Sequence, residues 1–148
     1  MNVTIRKIEA RDRERWQALW EGYCAFYKVD LRGPVTEHTW TRLMENAGPV
    51  RAVVAETKDD GVIGIANYVI HEHTWSLTPA CYLQDLFVDP KTRAKGVGKQ
   101  LIDWLVAECK AQNWSRLYWV TAETNYRARG LYDKYTPHSG FLRYVIKT

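Results

Sequence analysis

The sequence predicts an α/β domain (α+β in some classifications) in which a single mixed β-sheet is flanked by helices, and three observations lead to this prediction. Apolar residues run or alternate in short segments typical of strands, whereas elsewhere they recur at helical spacing. A turn over residues 58–61 that ends in Asp-Gly joins two apolar runs, which predicts an antiparallel hairpin. The second half alternates strands with helices, an order that requires crossovers and therefore parallel neighbours. With 148 residues the chain has room for one domain, which we place over residues 1–148.

The first half is predicted to contain a short strand, two helices and the hairpin. Aromatic residues at helical spacing indicate the first helix, and Thr36 is the expected N-cap of the second. Gly48 followed by Pro49 would end that second helix. The predicted elements are a strand around residues 3–8, helices over 12–27 and 36–47, and strands over 51–57 and 62–71.

The second half is predicted to begin with a strand rich in aromatic and branched residues, followed by a glycine loop and a helix. Because a helix connects this strand to the next, we expect the two to be parallel neighbours. Strand alternation places Leu83, Asp85 and Phe87 on one side of the sheet. The predicted elements are strands over 81–88, 116–122 and 140–146, and helices over 97–113 and 125–134.

The positive charge of the chain is concentrated in its last third. The formal net charge is +4, made of +1 over residues 1–45, −4 over 46–90 and +7 over 91–148. Proteins that bind nucleic acids usually carry their basic residues along one long face, so the acidic middle third argues against a polymer, although a basic nucleic-acid-binding module stays open as an alternative. An acidic middle third is also consistent with a cationic substrate.

Residues 93–99, Arg-Ala-Lys-Gly-Val-Gly-Lys, lie between a predicted strand and the start of a predicted helix. Unpaired backbone amides and the positive end of the helix dipole meet at such a point, and glycines allow an oxyanion to approach the backbone closely. Phosphate or pyrophosphate is the natural occupant. Neither the GxxxxGK[ST] pattern nor GxGxxG fits, since the latter would need a glycine where Leu101 stands.

On these residues the sequence resembles the GCN5-related N-acetyltransferase (GNAT) family, whose defining loop reads [QR]xxGx[GA]. The resemblance covers residues 82–145 and includes the strand YLQDLFV, which is similar to that of the diamine and thialysine acetyltransferase branch. Asn125, Ala128 and Tyr132 fall on the N-x-x-A-x-x-x-Y pattern of the family's downstream helix. The resemblance implies the GNAT fold, acetyl-CoA as cofactor, and direct attack of a primary amine on the acetyl group in a ternary complex. The amine would belong to a small amine, a polyamine-like compound, an amino acid or a protein lysine.

The resemblance further implies a cofactor site built from three segments. Backbone groups of the strand would pair with the pantetheine arm, amides of the loop would hold the pyrophosphate, and Asn125 would hold the cofactor near its thiol end. Tyr132 would act as the catalytic acid that protonates the thiolate. The expected cofactor-binding residues are Leu86, Phe87, Val88, Arg93, Ala94, Lys95, Gly96, Val97, Gly98, Lys99, Asn125, Arg127, Ala128 and Tyr132.

The sequence leaves the general base open. The diamine branch has a glutamate where this chain has Gln84, and an amide cannot accept the proton of the amine. Asp85 is the neighbouring acid, but alternation turns it away unless a β-bulge re-aims it. We therefore keep both Gln84 and Asp85 as catalytic candidates, with Glu21 or Glu72 as further acids that could take the proton. A CoA-binding sensor without turnover is a third possible function, because the glutamate is missing.

Acceptor recognition is expected from the end of the first helix and the loop after it, where acids and aromatic residues suited to a cation occur together. The residues of this region are Glu21, Tyr23, Tyr27 and Asp30, and the predicted acceptor-binding set is Glu21, Tyr27 and Gln84. His71 and His73 have no third ligand nearby, so we expect no metal site.

Cysteine usage and the start of the chain indicate the cellular setting. The three cysteines form no CxxC pair, and the first ten residues lack the apolar stretch of a secretory signal. We therefore expect a reduced, cytoplasmic environment, with Cys81 and Cys109 packed in the interior. The apolar last strand, together with the resemblance, implies a homodimer. Residues 134–139, which lengthen the connection to that strand, would shape either the acceptor mouth or a dimer contact.

Overall fold

The computed structural model describes residues 2–148, which form one five-stranded sheet with helices on both faces. The strands follow the order β1-β2-β3-β4-β5, with antiparallel pairing throughout except for the parallel pair β4 and β5. A 3₁₀ turn at Ala10–Asp12 precedes the first helix. The elements are β1 (Thr4–Lys7), α1 (Arg13–Phe26), α2 (Pro34–Leu43), β2 (Val50–Thr57), β3 (Gly61–His71), β4 (Ala80–Val88), α3 (Val97–Gln112), β5 (Leu117–Tyr118) and α4 (Tyr126–Tyr132). The predicted single mixed sheet with flanking helices is confirmed.

Each face of the sheet carries its own apolar core. On one face, Leu101 and Leu105 of α3 pack against Val53 of β2 and its neighbours. On the other face, Trp16 of α1 packs with Val54 in a core that α2 completes. Because successive strand residues point to opposite faces, the continuous apolar run of β2 fills both cores at once. None of the helices within residues 2–148 is long and apolar enough to cross a membrane.

The hairpin prediction is confirmed, whereas the predicted start of the second helix is wrong. β2 and β3 pair antiparallel up to Thr57 opposite Gly61. α2 begins at Pro34, two residues before the predicted cap, because proline suits the first helical turn, where its missing N–H has no partner to lose. Thr36 lies inside the helix, and its hydroxyl accepts a hydrogen bond from Trp20 Nε1 at 2.9 Å. This threonine therefore fastens α2 to α1.

The end of the sheet differs from the prediction. β4 and β5 pair only at Cys81 with Leu117 and at Tyr82 with Tyr118, so the strand predicted over 116–122 is reduced to two residues. The strand predicted over 140–146 does not form. A strand needs a hydrogen-bonded neighbour, and beyond Tyr118 the sheet edge offers no continuous ladder to residues 140–146 of the same chain. Large apolar side chains in this segment are consequently exposed.

A β-bulge in β4 changes the side of the sheet on which Asp85 lies. Asn67 of β3 pairs with Asp85, but the next residue, Tyr68, pairs with Leu83, so Gln84 is the extra residue. Leu83 packs in the core under α3, whereas Asp85 accepts a hydrogen bond from Asn67 Nδ2 at 3.1 Å. Asn67 also accepts a hydrogen bond from Trp16 of α1 at 3.4 Å, which places this polar cluster on the α1 face. The prediction that Leu83 and Asp85 share one side is therefore wrong, because the bulge inserts a residue between them.

Candidate active site

The divergence of β4 and β5 opens a cleft of about 1410 Å³. This volume exceeds the roughly 300–1,000 Å³ of pockets for drug-sized ligands. α1 forms one wall, residues 86–98 form the floor and the rim, and α4 forms the other wall. Because β5 pairs with β4 only as far as Tyr82, the backbone of β4 from residue 83 onward has no strand partner on this edge. These backbone groups are available to a ligand that lies in the gap.

Five consecutive backbone amides at the start of α3 are free. The amides of residues 95–99 have no acceptor within residues 2–148, whereas the Ala94 amide donates to Thr92 Oγ1 at 3.2 Å. Gly96 precedes the helix with a φ of 70°, a left-handed conformation that favours glycine. Free amides at the positive end of a sixteen-residue helix form a site for an anion.

The cations around this helix start divide into paired and unpaired groups. Lys99 Nζ lies 2.7 Å from Asp103 Oδ2, and Asp103 also accepts a hydrogen bond from Tyr135 at 2.6 Å. Lys91, Arg93 and Lys95 form no ion pair within the described residues 2–148. Three cations beside five free amides can therefore neutralise a ligand that bears more than one negative charge.

α4 presents Asn125 and the residues after it to the cleft. The Asn125 side chain caps the helix, because its Oδ1 accepts from the Ala128 amide at 3.4 Å and its Nδ2 donates to Thr121 Oγ1 at 3.3 Å. Arg127 and Ala128 also line the cleft. The asparagine thus sets where α4 begins and, with it, where Tyr132 lies.

Tyr132 stands on the cleft wall opposite Tyr27, the residue that follows α1. Its ring packs edge-on against Trp119 with 5.3 Å between centroids. Its hydroxyl forms no hydrogen bond with any of residues 2–148, and burial, together with the nearby Tyr27, raises the pKa of Tyr132. The phenol therefore stays protonated at neutral pH and can donate its proton into the cleft.

Asp85 lies behind the α1 wall, where only 8% of the residue is exposed. Burial raises the pKa of Asp85, and hydrogen bonds from Tyr23 and Asn67 oppose that rise. Burial and the neighbouring Asp85 also raise the pKa of Tyr23, so the Tyr23 hydroxyl keeps its proton beside the carboxylate. Tyr23 in turn packs against Tyr27, with 4.8 Å between ring centroids. A buried acid is thus connected to the cleft wall through a tyrosine.

The other acceptor candidates lie outside this arrangement. Glu21 is exposed, does not line the cleft, and accepts a hydrogen bond from Gln17 at 3.0 Å. Gln84 is exposed at the bulge, and Glu72 lies in the loop after β3. Asn67 was not singled out from the sequence, although a lone amide inside the apolar run VIGIANYVI is a signal that could have identified it. Within residues 2–148 no three His, Cys, Asp or Glu side chains form a group that could hold a metal.

Comparisons with known proteins agree with this geometry. Residues 15–136 match the acetyltransferase (GNAT) family. The D-amino-acid N-acetyltransferase HPA3 of Saccharomyces cerevisiae is 32% identical over 133 residues, which cover 89% of this chain and 83% of that protein. YhfO of Bacillus subtilis, an uncharacterized N-acetyltransferase, is 28% identical over 149 residues, covering 97% of each chain.

Solved structures share the fold at low sequence identity. The ribosomal-protein-alanine N-acetyltransferase of Brucella melitensis superposes with a TM-score of 0.82 at 22% identity, over 99% of this chain and 100% of that one. AAC(6')-Iy in complex with the bisubstrate analog CoA-S-monomethyl-acetylneamine superposes with a TM-score of 0.78 at 19% identity, over 100% of this chain and 99% of that one. At such identities the likeness concerns the fold alone.

Proposed function

Because this chain belongs to the acetyltransferase (GNAT) family and its relatives are named as N-acetyltransferases, we propose that its cleft binds acetyl-CoA and transfers the acetyl group to the primary amine of a small acceptor, in particular an amino acid. One observation carries the proposal. The gap between β4 and β5 connects five free amides at the start of α3 with a free tyrosine hydroxyl, that of Tyr132.

The residues of the cleft fit a diphosphate-bearing thioester. The amides of residues 95–99 and the unpaired side chains of Lys91, Arg93 and Lys95 would hold the diphosphate. The partnerless edge of β4 at residues 86–88 would pair with the amide groups of the pantetheine arm. Since the Ala94 amide is already bonded to Thr92, we place the anion at residue 95 and beyond rather than at residue 94.

When bound, acetyl-CoA supplies the acetyl group as a thioester, whose sulfur leaves as a thiolate. Tyr132 holds a proton on its hydroxyl because burial raises its pKa, and from the cleft wall it would deliver that proton to the departing sulfur. This hydroxyl forms no hydrogen bond with any other residue that the structure describes. The assignment implies that removing the hydroxyl slows turnover more than it weakens cofactor binding.

The acceptor amine must lose a proton before it can attack, since a lysine-like amine has a pKa of about 10.4. We assign this step to Tyr23 and Asp85. The amine proton moves to the Tyr23 oxygen while the hydroxyl proton of Tyr23 moves to the nearby Asp85 carboxylate. The bulge at Gln84 makes this possible because it turns Asp85 toward α1, and it leaves Gln84 exposed where it can orient the acceptor.

A small acceptor is favoured over a protein lysine by two considerations. The relative HPA3 is a D-amino-acid N-acetyltransferase and covers most of this chain. In addition, the acid that would take the proton is buried beside Tyr23, whose ring packs against that of Tyr27. A cationic amine is attracted to such rings and to the buried carboxylate behind them.

The test is the release of free CoA thiol from acetyl-CoA in the presence of amino acids, diamines and a lysine peptide. We expect turnover with amino acids, and we expect Tyr132→Phe to lower kcat about 100-fold with little change in the KM for acetyl-CoA. Tyr126→Phe is the matched control, because Tyr126 is 72% exposed on the same helix and lies outside the cleft wall.

Three results would contradict the proposal. If calorimetry detects no binding of CoA, acetyl-CoA is excluded as the cofactor. Binding of CoA without turnover on any amine would favour a CoA-binding sensor. Salt-sensitive binding of DNA without CoA binding would favour the nucleic-acid module.

We also propose that the partner is a second copy of the chain, which pairs with the free edge of β5 through residues 140–146. Phe141, Tyr144 and Ile146 are 88%, 88% and 89% exposed, which leaves a strand-like apolar segment beside an open sheet edge. Light scattering should show a dimer, and Tyr144→Asp should shift the protein to a monomer. A wild-type protein that stays monomeric at micromolar concentration would disprove this pairing.

A further inference from the structure

We infer that the sheet carries an acceptor groove on its α1 face, and that Arg116 at the outer end of the groove binds the carboxylate of the acceptor. The inference rests on the proposed acetylation of amines and names which amines the site selects. It concerns Arg116, Tyr118, Tyr82 and His71, none of which belongs to the cofactor cleft.

Three rings of this groove come from neighbouring strands. The Tyr82 and Tyr118 rings are stacked with 4.8 Å between centroids and 17° between planes. His71 Nε2 lies 2.7 Å from the Tyr118 hydroxyl. The residues next to these three in sequence, Cys81, Leu117 and Ile70, pack in the core under α3. Because strand neighbours face opposite sides, the three rings lie on the α1 face.

The inner end of the groove is the buried carboxylate of Asp85. Tyr23 lies between the two ends, since it is close enough to both Asp85 and Tyr82 for each of them to raise the pKa of Tyr23. Asp85 stands two ladder positions from Tyr82, since Val69 pairs with Tyr82 and Asn67 pairs with Asp85. With about 3.3 Å per strand residue, Asp85 and the Tyr82–Tyr118 stack are roughly 7 Å apart along the strand.

The outer end of the groove carries an unused guanidinium. The Arg116 Cζ atom lies 5.2 Å from the centroid of the Tyr118 ring, so the aromatic face holds the side chain in place. Arg116 is exposed, and its guanidinium forms no ion pair with the residues that the structure describes. All its donors are therefore free to bind a carboxylate in bidentate fashion.

The charges of the groove match one class of acceptor. A negative group lies at the inner end, aromatic rings line the middle, and a positive group lies at the outer end. A molecule whose amine and carboxylate are several bonds apart can reach toward both Asp85 and Arg116. A diamine would instead bring a second positive charge against Arg116, which is unfavourable. The groove thus selects amino acids over amines that lack a carboxylate.

The experiment compares each acid with its decarboxylated amine, using phenylalanine with 2-phenylethylamine and 6-aminohexanoate with pentylamine. In the wild type, kcat/KM should be higher for the acid in at least one pair. Arg116→Gln should lower kcat/KM for that acid about tenfold, mostly by raising KM, and should leave kcat/KM for the amine unchanged. Arg116→Lys should restore part of the loss.

Arg13→Gln is the matched control, because Arg13 also lies 5.2 Å from an aromatic centroid, that of Trp40, but is already paired with Glu37 and lies outside the groove. It should leave both substrates unaffected. An equal loss for acid and amine in Arg116→Gln, or a wild-type preference for the amine in both pairs, would overturn the carboxylate assignment while acetylation stands. Absence of turnover on any amine would overturn the proposed function itself.

Discussion

Replacing Asp85 by asparagine should make the protein more stable while it removes most of the activity. The two side chains have the same shape, and the buried site can accommodate the amide. Its oxygen can accept from Asn67 Nδ2, and its amino group can donate to Tyr23, whose hydroxyl can rotate to accept. Only the negative charge is lost. Since 8% of Asp85 is exposed, that charge is held where water solvates it poorly.

The sign of the stability change follows from the raised pKa of Asp85. Between the unfolded value of 3.8 and the raised value, the folded state binds more protons than the unfolded state, so stability falls as the pH rises through this window. At pH values above this window, the loss of stability caused by the buried charge is complete. At neutral pH the Asp85→Asn variant should therefore have a free energy of unfolding about 1 kcal/mol higher than the wild type, as is common when a strained functional group is removed. For a chain of this size that gain corresponds to about 4 °C in Tm. The gain should shrink as the pH falls toward 3.8.

Two measurements on the same variant check this reasoning. Calorimetry at several pH values gives the stability difference, and CoA release gives the activity. We expect kcat to fall at least about 100-fold, which is typical when a general base is removed. A variant that is less stable than the wild type at neutral pH would show that the buried carboxylate is favourably solvated. An unchanged kcat would show that Asp85 does not receive the proton.

Three further predictions concern the same site. The wild-type kcat/KM should rise with pH through the raised pKa of Asp85, because only the carboxylate form can take the proton; a profile without such a rise would exclude Asp85 as the base. Tyr23→Phe should lower kcat while the KM for acetyl-CoA stays constant in a steady-state assay, since it interrupts the path to Asp85 without touching the cofactor cleft. Gly96→Ala should lower the free energy of unfolding by about 1 kcal/mol, because Gly96 has a φ of 70°. The same strain at the start of α3 should raise the KM for acetyl-CoA. Gly130 lies within α4 at an ordinary φ, so Gly130→Ala should instead raise the free energy of unfolding by about 0.5–1 kcal/mol and leave that KM unchanged.

Local patterns predicted most of the scaffold correctly. The Asp-Gly turn, the strand that precedes the glycine loop and the helix that follows it depend on neighbours close in sequence, so periodicity alone reveals them. The same holds for the anion site, because free amides at a helix start follow from the loop and helix themselves. Within residues 93–99, only the Ala94 amide already donates a hydrogen bond, to Thr92, and the loop pattern does not indicate that bond.

The features that the sequence did not predict correctly depend on how strands pair. The bulge at Gln84 arises where β3 and β4 come into register, so it depends on two strands at once and leaves no mark on the alternation of β4. The same is true of the strand predicted over 140–146. Its apolar residues suit a strand, but a strand also needs an edge to pair with, and the short β5 does not provide one to the same chain.

By itself, then, the sequence determined the mixed sheet, the glycine loop with its free amides at the start of α3 and the place of Tyr132 on the helix that follows. Only the tertiary structure decided that Asp85 faces Tyr23 and that Arg116 rests on Tyr118 with its donors free. The physical reason is that helices and turns are held by contacts between near neighbours, whereas a side chain's position across a sheet depends on the register between strands that are distant in sequence.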